Sequence, residues 1–278
     1  MMSINIRRKY KKDAIEFDPL LSLVYSAIRM IKKIPALLLI FLFFITGCAQ
    51  NVLSPEDQRL LDRILNHWGT WVPARQKNGT APLMTFREIY EGLDLREQKF
   101  LDRIRFLKKR GIFPPPGIAL KKIEGQKVLK NGKLEEIGAQ YLPPRVFEAY
   151  EKMMQAMKRD TGKRLYVDSG YRSPAYQLYT FLFYLPKHHY SLEEGRRWVA
   201  LPGHSEHGNP DRQAIDFINE NGENGDDAAE KFEALPEYAW LQKNAGRFGF
   251  KLSYPRGMKE TTFEPWHWRY AGEESGEN

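Results

Sequence analysis

From residue 54 onward the chain alternates between stretches whose apolar residues recur every three or four positions and shorter ones flanked by turn residues. Leu60, Leu61, Ile64, Leu65 and Trp68 fall on one helical face, behind a Ser54 that can cap and a Pro55 suited to the first turn. Asp94 and Glu97 make a capping-box-like pair ahead of a second stripe, Phe100, Leu101, Ile104 and Leu107. Pro114 to Gly117 breaks the chain, and Asn131-Gly132 between two short runs predicts a tight hairpin over 127–136. Pro143-Pro144 lead into a helix whose stripe is Val146, Phe147, Tyr150, Met153, Met154 and Met157, a core-facing pattern. Residues 164–168 read as a strand, 169–173 as a turn, 228–235 and 238–247 as helices, and 250–254 and 262–268 as strands. Helices and strands come in blocks, which predicts an α+β fold, an antiparallel sheet with flanking helices preceded by a small helical region.

Charge changes this picture only at the N-terminus. The chain carries +8, but residues 1–47 hold 8 of its 43 Lys/Arg and 3 of its 35 Asp/Glu, leaving 35 against 32 for the remainder. That balance, with no basic run interleaved with aromatics, argues against nucleic acid as a partner. Lys32-Lys33 precede an apolar run of 12 residues, Ile34 to Ile45, and then Ile45-Thr46-Gly47-Cys48. The run is shorter than the ~20 residues a spanning helix needs, so it reads as a secretory signal. Met30 begins a conventional signal by itself, which makes residues 1–29 an upstream extension. The tetrapeptide resembles the bacterial lipobox, which implies lipidation of Cys48, a membrane anchor and a tether over 48–53. Ala49 resembles the outer-membrane sorting pattern of such lipoproteins. Cys48 is the only cysteine, so an internal disulfide and a thiolate metal ligand are both excluded.

Any metal must therefore use histidine and carboxylate. Of the six histidines, His67 sits in a predicted helix without a suitably spaced carboxylate, and the adjacent His188 and His189 would point apart in an extended segment. His204 follows Pro202-Gly203, where a helix is doubtful; His207 has Asp216 downstream in an apolar setting. Pro265 argues for an extended conformation across Glu264-Pro265-Trp266-His267, which leaves open where Glu264 and His267 point.

Gly203-His-Ser-Glu-His207 with Ala214-Ile-Asp216, and Glu264-x-Trp-His267-x-Arg269-Tyr270, resemble the signature of the VanY-type zinc D-alanyl-D-alanine carboxypeptidases. That family shares its metal site with VanX dipeptidases and hedgehog-like domains. Ser169-Gly-Tyr-Arg172-Ser and Gln177 resemble its upstream arginine motif, and the likeness runs over about 141–271. It implies a catalytic domain over 141–278, following a helical region, linker and hairpin over 54–140. It further implies His207, Asp216 and His267 as Zn2+ ligands, Glu264 as general base and Arg172 as oxyanion stabiliser, with Gln177 and Ser205 orienting substrate. Zinc at such a site lowers the pKa of its water towards ~7. The family usually spaces its first His and Asp by seven; here the separation is nine and Arg212 stands in place of a Gly, so the loop 208–213 must bulge and Asp211 becomes a rival ligand. The expected substrate is the peptidoglycan stem peptide on the periplasmic side of the envelope, with loss of terminal D-alanine. The alternatives are an L,D- or endopeptidase cut in the same stem, or a non-catalytic zinc-containing wall-binding module.

Overall fold

Ser54 Oγ accepts the Asp57 amide at 3.1 Å and starts helix α1 (Pro55–Gly69), whose buried face carries Leu61, Ile64 and Trp68. The structure, a computed structural model, describes residues 52–114, 117–130, 132–225, 229–258 and 261–272. The signal-like segment, Cys48 and Ala49 lie outside the described residues. Helices α2 (Val72–Lys77), α3 (Phe86–Tyr90) and α4 (Leu95–Arg105) follow, and α3 and α4 each open on a complete capping box, Thr85 with Glu88 and Asp94 with Glu97.

Strand β1 (Lys121–Ile123) pairs antiparallel with β4 (Gln140–Leu142), and the hairpin of β2 (Lys127–Lys130) and β3 (Lys133–Glu136) lies between them in sequence. The predicted Met and aromatic stripe is the buried face of α5 (Pro144–Thr161), which Gly162 ends at φ 75°, a left-handed conformation only glycine takes without strain. The main sheet has four antiparallel strands in the order β5 (Tyr166–Ser169), β6 (Ala214–Ile218), β8 (His267–Tyr270), β7 (Phe250–Leu252). The α+β expectation thus holds.

Several short elements, among them α2, α3, β1 and β4, have no counterpart in the sequence reading, and two further departures bear on the site. The predicted strand over 262–268 begins only at His267, because the His267 amide turns back to donate to Glu264 O at 3.1 Å. Helix α6 (Pro174–Tyr184) was not expected: Ala175, Gln177, Leu178, Tyr179, Phe181 and Leu182 are all buried, so it has no polar face to give a stripe. Helices α7 (Leu192–Trp198), α8 (Ala229–Glu233) and α9 (Pro236–Asn244) complete the set used below.

Two hydrophobic clusters support these elements. In one, α1 to α4 pack around α6, with the rings of Trp68 and Tyr179 5.7 Å apart. In the other, α5 and α9 cover the sheet, with Tyr150 stacked on Phe217. Residues 170–173 lead from β5 of the second cluster to α6 of the first. Ser173 fastens this link: its amide donates to Pro82 O at 2.8 Å, its hydroxyl to Met84 O at 2.5 Å, and the same oxygen caps α6 by accepting from Tyr176 N. The helices before residue 112 therefore form the wall against which the Arg172 segment is set. Among the described residues no helix is long and apolar enough to cross a membrane.

Candidate metal centre and active site

Asp216 and His267 are 51 residues apart in sequence and are direct partners in the β6–β8 register. His267 Nδ1 reaches Asp216 Oδ1 at 2.8 Å. His207 arrives from a 3₁₀ turn, Glu206–Gly208, which Ser205 Oγ caps by accepting the His207 amide at 3.3 Å. One donor atom from each of His207, Asp216 and His267 lies within 4.8 Å of the other two, and the imidazoles meet edge to face at 4.9 Å. The insertion before Asp216 is absorbed by a turn in which Asp211 N donates to Asn209 Oδ1 and Arg212 N to Asn209 O, both at 3.1 Å. Asp211 is exposed there, and the cluster takes Asp216.

The hydrogen-bond roles at His207 test whether these residues suit a metal. Its Nδ1 lies 2.7 Å from Gly170 O, and since a carbonyl only accepts, Nδ1 holds the proton. In the neutral ring Nε2 is then a bare lone pair, buried and without a hydrogen-bond partner, with Asp216 Oδ2 3.1 Å away. Two acceptors facing each other repel unless a cation lies between them. A proton is a poor candidate, because burial and then the Arg172 guanidinium push the His207 pKa down to about 4 against the attraction of Asp216. Two imidazole nitrogens and one carboxylate are a borderline-soft set that suits Zn2+, and they leave coordination positions open. The backbone carbonyl on Nδ1 is the usual outer partner that fixes a ligating tautomer.

His267 behaves differently. Burial opposes its charge, but the Asp216, Glu206 and Glu264 carboxylates prevail and raise its pKa to about 9. A proton on this ring supplies the positive charge that a metal ion would otherwise bring. Asp216 is partly buried, which works against ionisation, yet His207 and His267 hold its carboxyl well below the usual range.

Glu264 and Arg172 flank the cluster. Glu264 Oε2 is 3.8 Å from His267 Nδ1, and Thr262 Oγ1 donates to Glu264 Oε1 at 3.4 Å. Burial, the first cause, and the nearby Asp216 raise the Glu264 pKa to about 7 against the pull of His267 and Arg172. Arg172 Nη2 lies 3.9 Å from Asp216 Oδ2, and its backbone amide donates to His207 O at 3.1 Å. A base titrating near neutrality and a fixed guanidinium on either side of one metal position is an arrangement for adding water to a carbonyl.

The remaining candidates lie away from the centre. His67 bonds Glu91 O, His188 stacks on Trp198, and His204 is 3.4 Å from Lys108 O. Gln177 is buried and donates to Ala200 O at 2.7 Å. Two residues beside His267 had no assigned role in the sequence reading. Glu206 Oε2 is 3.2 Å from His267 Nε2, and the Tyr254 ring lies 4.9 Å from the His267 ring. Their only sequence signal is adjacency to motif residues, Ser-Glu-His for one and Ser-Tyr-Pro for the other.

Two imidazoles and a carboxylate converge here from separate elements, with a second carboxylate and a guanidinium alongside, a donor set of the kind mononuclear metallopeptidases use. Residues 139–273 match the family described as VanY, D-alanyl-D-alanine carboxypeptidase. YodJ of Bacillus subtilis (strain 168), a carboxypeptidase by name, is 33% identical over 147 residues, 51% of this chain and 50% of its own. A D-alanyl-D-alanine carboxypeptidase of Enterococcus faecalis (strain ATCC 700802 / V583) is 40% identical over 87 residues, 30% of this chain and 28% of that one. The matched segments span half or less of these relatives' lengths. Among solved structures, VanYB in complex with D-alanine-D-alanine is similar over 59% of this chain and 83% of its own, at 26% identity and a TM-score of 0.43. The LdcB LD-carboxypeptidase is similar over 55% and 69%, at 27% identity and a TM-score of 0.44.

Proposed function

We propose that this protein is a zinc D,D-carboxypeptidase that removes a C-terminal D-alanine from peptidoglycan stem peptides. The observation that carries this reading is the convergence of His207, Asp216 and His267 with Glu264 and Arg172 beside them, inside the segment that matches the VanY family. His207 Nε2, an Asp216 oxygen and His267 Nδ1 would hold the metal; when bound, Zn2+ supplies Lewis-acid polarisation and acidifies water. Glu264 takes one proton from the attacking water and delivers it to the departing amine as the C–N bond breaks, so its carboxyl begins and ends the cycle ionised. Arg172 opposes the negative charge that grows on the scissile carbonyl oxygen. Ser205 and Gln177 serve substrate placement through the segments they hold, the His207 turn and the 199–201 stretch.

The signal-like N-terminus supports an address as well. The mature chain begins at a lipidated Cys48, which tethers the enzyme to the envelope, facing the periplasm at the outer membrane, where stem peptides are within reach. Metabolic labelling with a fatty acid should mark the wild-type chain and not Cys48→Ala, which should also leave the membrane fraction. For the reaction, the Zn2+-loaded protein is incubated with defined muropeptides and the products are weighed by mass spectrometry. Release of a single D-alanine from pentapeptide is the expected result. Cleavage only of tetrapeptide would make it an L,D-enzyme, and no cleavage of any would leave a wall-binding module.

A further inference from the structure

We infer that Glu206 is a positioning residue that fixes the tautomer and ring orientation of His267, leaving Nδ1 free to ligate a metal. An imidazole that binds a metal through one nitrogen carries its proton on the other, and an acceptor placed there sets both the tautomer and the tilt of the ring. In His267 the two nitrogens are divided in this way: Nδ1 faces Asp216 Oδ1 at 2.8 Å, and Nε2 faces Glu206 Oε2 at 3.2 Å. The inference deepens the proposed function and rests on that reading of the metal site.

Glu206 is itself held in place. Ser253 Oγ donates to Oε2 at 2.5 Å, while Arg212 Nη2 and Arg269 Nη1 approach Oε1 at 3.6 and 3.8 Å. These partners come from the loop before β6, the end of β7 and strand β8, so three separate segments converge on one carboxylate. With Ser253 donating to it and two guanidiniums beside it, this carboxylate presents an acceptor to His267 Nε2. Its neighbour in sequence is His207, on the same 3₁₀ turn. One turn therefore supplies a ligand to the cluster and, from the next residue, the brace for the other histidine ligand. That coupling ties the spacing of the two imidazoles to the geometry of a three-residue segment.

The test uses the full-length protein with its E206A and E206Q variants. Zn2+ affinity is measured by competition with a chromophoric chelator, the His267 Nε2–H resonance by NMR of the Zn2+-loaded protein, and turnover at saturating Zn2+ on a peptide ending in D-alanyl-D-alanine. E206A should weaken Zn2+ binding roughly 10–100-fold and abolish the protected Nε2–H resonance. E206Q keeps an acceptor but loses the charge, so it should retain the resonance at a shifted position and bind more tightly than E206A. Wild-type Zn2+ affinity in E206A with the resonance intact overturns the inference. Should E206A fail to fold, an Nε2–H resonance unmoved in E206Q does the same. A wild-type protein that neither binds Zn2+ nor cleaves the peptide sinks the proposed function itself, and the inference with it.

Discussion

Glu264 and His267 are separated by a single turn, which brings a carboxylate oxygen to within 3.8 Å of the ring nitrogen that faces Asp216. The proposed base is thereby linked to the proposed metal position through the backbone itself, the His267 amide donating to Glu264 O. Replacing Glu264 with Gln should lower kcat by about 10²–10⁴-fold, the usual worth of a positioned base, while Zn2+ still binds. Stopped-time hydrolysis together with metal analysis of the variant checks both halves.

The same carboxyl sets the acid limb of the pH profile. Glu264 must be ionised to accept a proton, and its pKa is raised to about 7, chiefly by burial. kcat/KM should therefore climb as pH rises towards neutrality, with its midpoint at about 7 or lower, since a bound dication favours the carboxylate. A midpoint well above 7 in the Zn2+-loaded enzyme, absent in the Glu264→Gln variant, would contradict this.

Arg172 makes a different prediction. Its guanidinium is 3.9 Å from Asp216 and on hand for charge that develops only during reaction. Arg172→Ala should cost kcat about 10²–10³-fold, roughly 3–4 kcal/mol, with a smaller change in KM. Arg172→Lys keeps a charge but not the planar fork, and should recover only part of the loss. Equal falls in affinity and none in kcat would assign the residue to ground-state binding instead.

Metal-free protein should lose stability in alkali. The folded-state pKa of His267 is raised to about 9, so the folded chain binds more protons than the unfolded one between about 6.5 and 9. The stabilisation is complete below 6.5 and disappears as pH rises through 9. Glu264 adds in the same direction up to about 7, while His207, lowered to about 4, acts oppositely and only on the acid side. Urea titrations at pH 6.5 and 9 in chelator should show the drop. Zn2+ should flatten it, adding about 2.7 kcal/mol at a hundredfold excess over Kd.

Gly170→Ala should damage the metal site through packing alone. A methyl there would sit 2.4 Å from Tyr141 O, which already accepts from Tyr171 N at 2.7 Å, so the peptide must move. The Gly170 carbonyl is what holds His207 Nδ1. Thermal unfolding and Zn2+ competition should both worsen, and a variant that destabilises without weakening Zn2+ would uncouple the two.

Much of this was legible in the chain because the signals are local. Ser54 and the Asp94/Glu97 box announce their helices, Asn131-Gly132 its hairpin, and the stripe from Val146 to Met157 its buried face. The motif histidines and Asp216 carried a family resemblance that the geometry of the cluster matches. Helix α6 was hidden because it is buried on nearly every side and so has no periodic polar face. The part played by Glu206 depends on the β6–β8 register and on Ser253 at the end of β7, contacts across 61 and 47 residues that no local pattern encodes. Likewise Pro265 flagged a departure from helix, but the turn that delays the strand to His267 is a backbone contact visible only in three dimensions.

The stitching of Ser173 to the carbonyls of Pro82 and Met84 has a practical outcome for anyone trimming the chain. Cutting back to residue 139 would keep every metal ligand yet strip α6 of its hydrophobic backing and unpin the residue next to Arg172. Such a fragment should still capture zinc while turning over poorly, because the guanidinium would wander from the place where charge builds up.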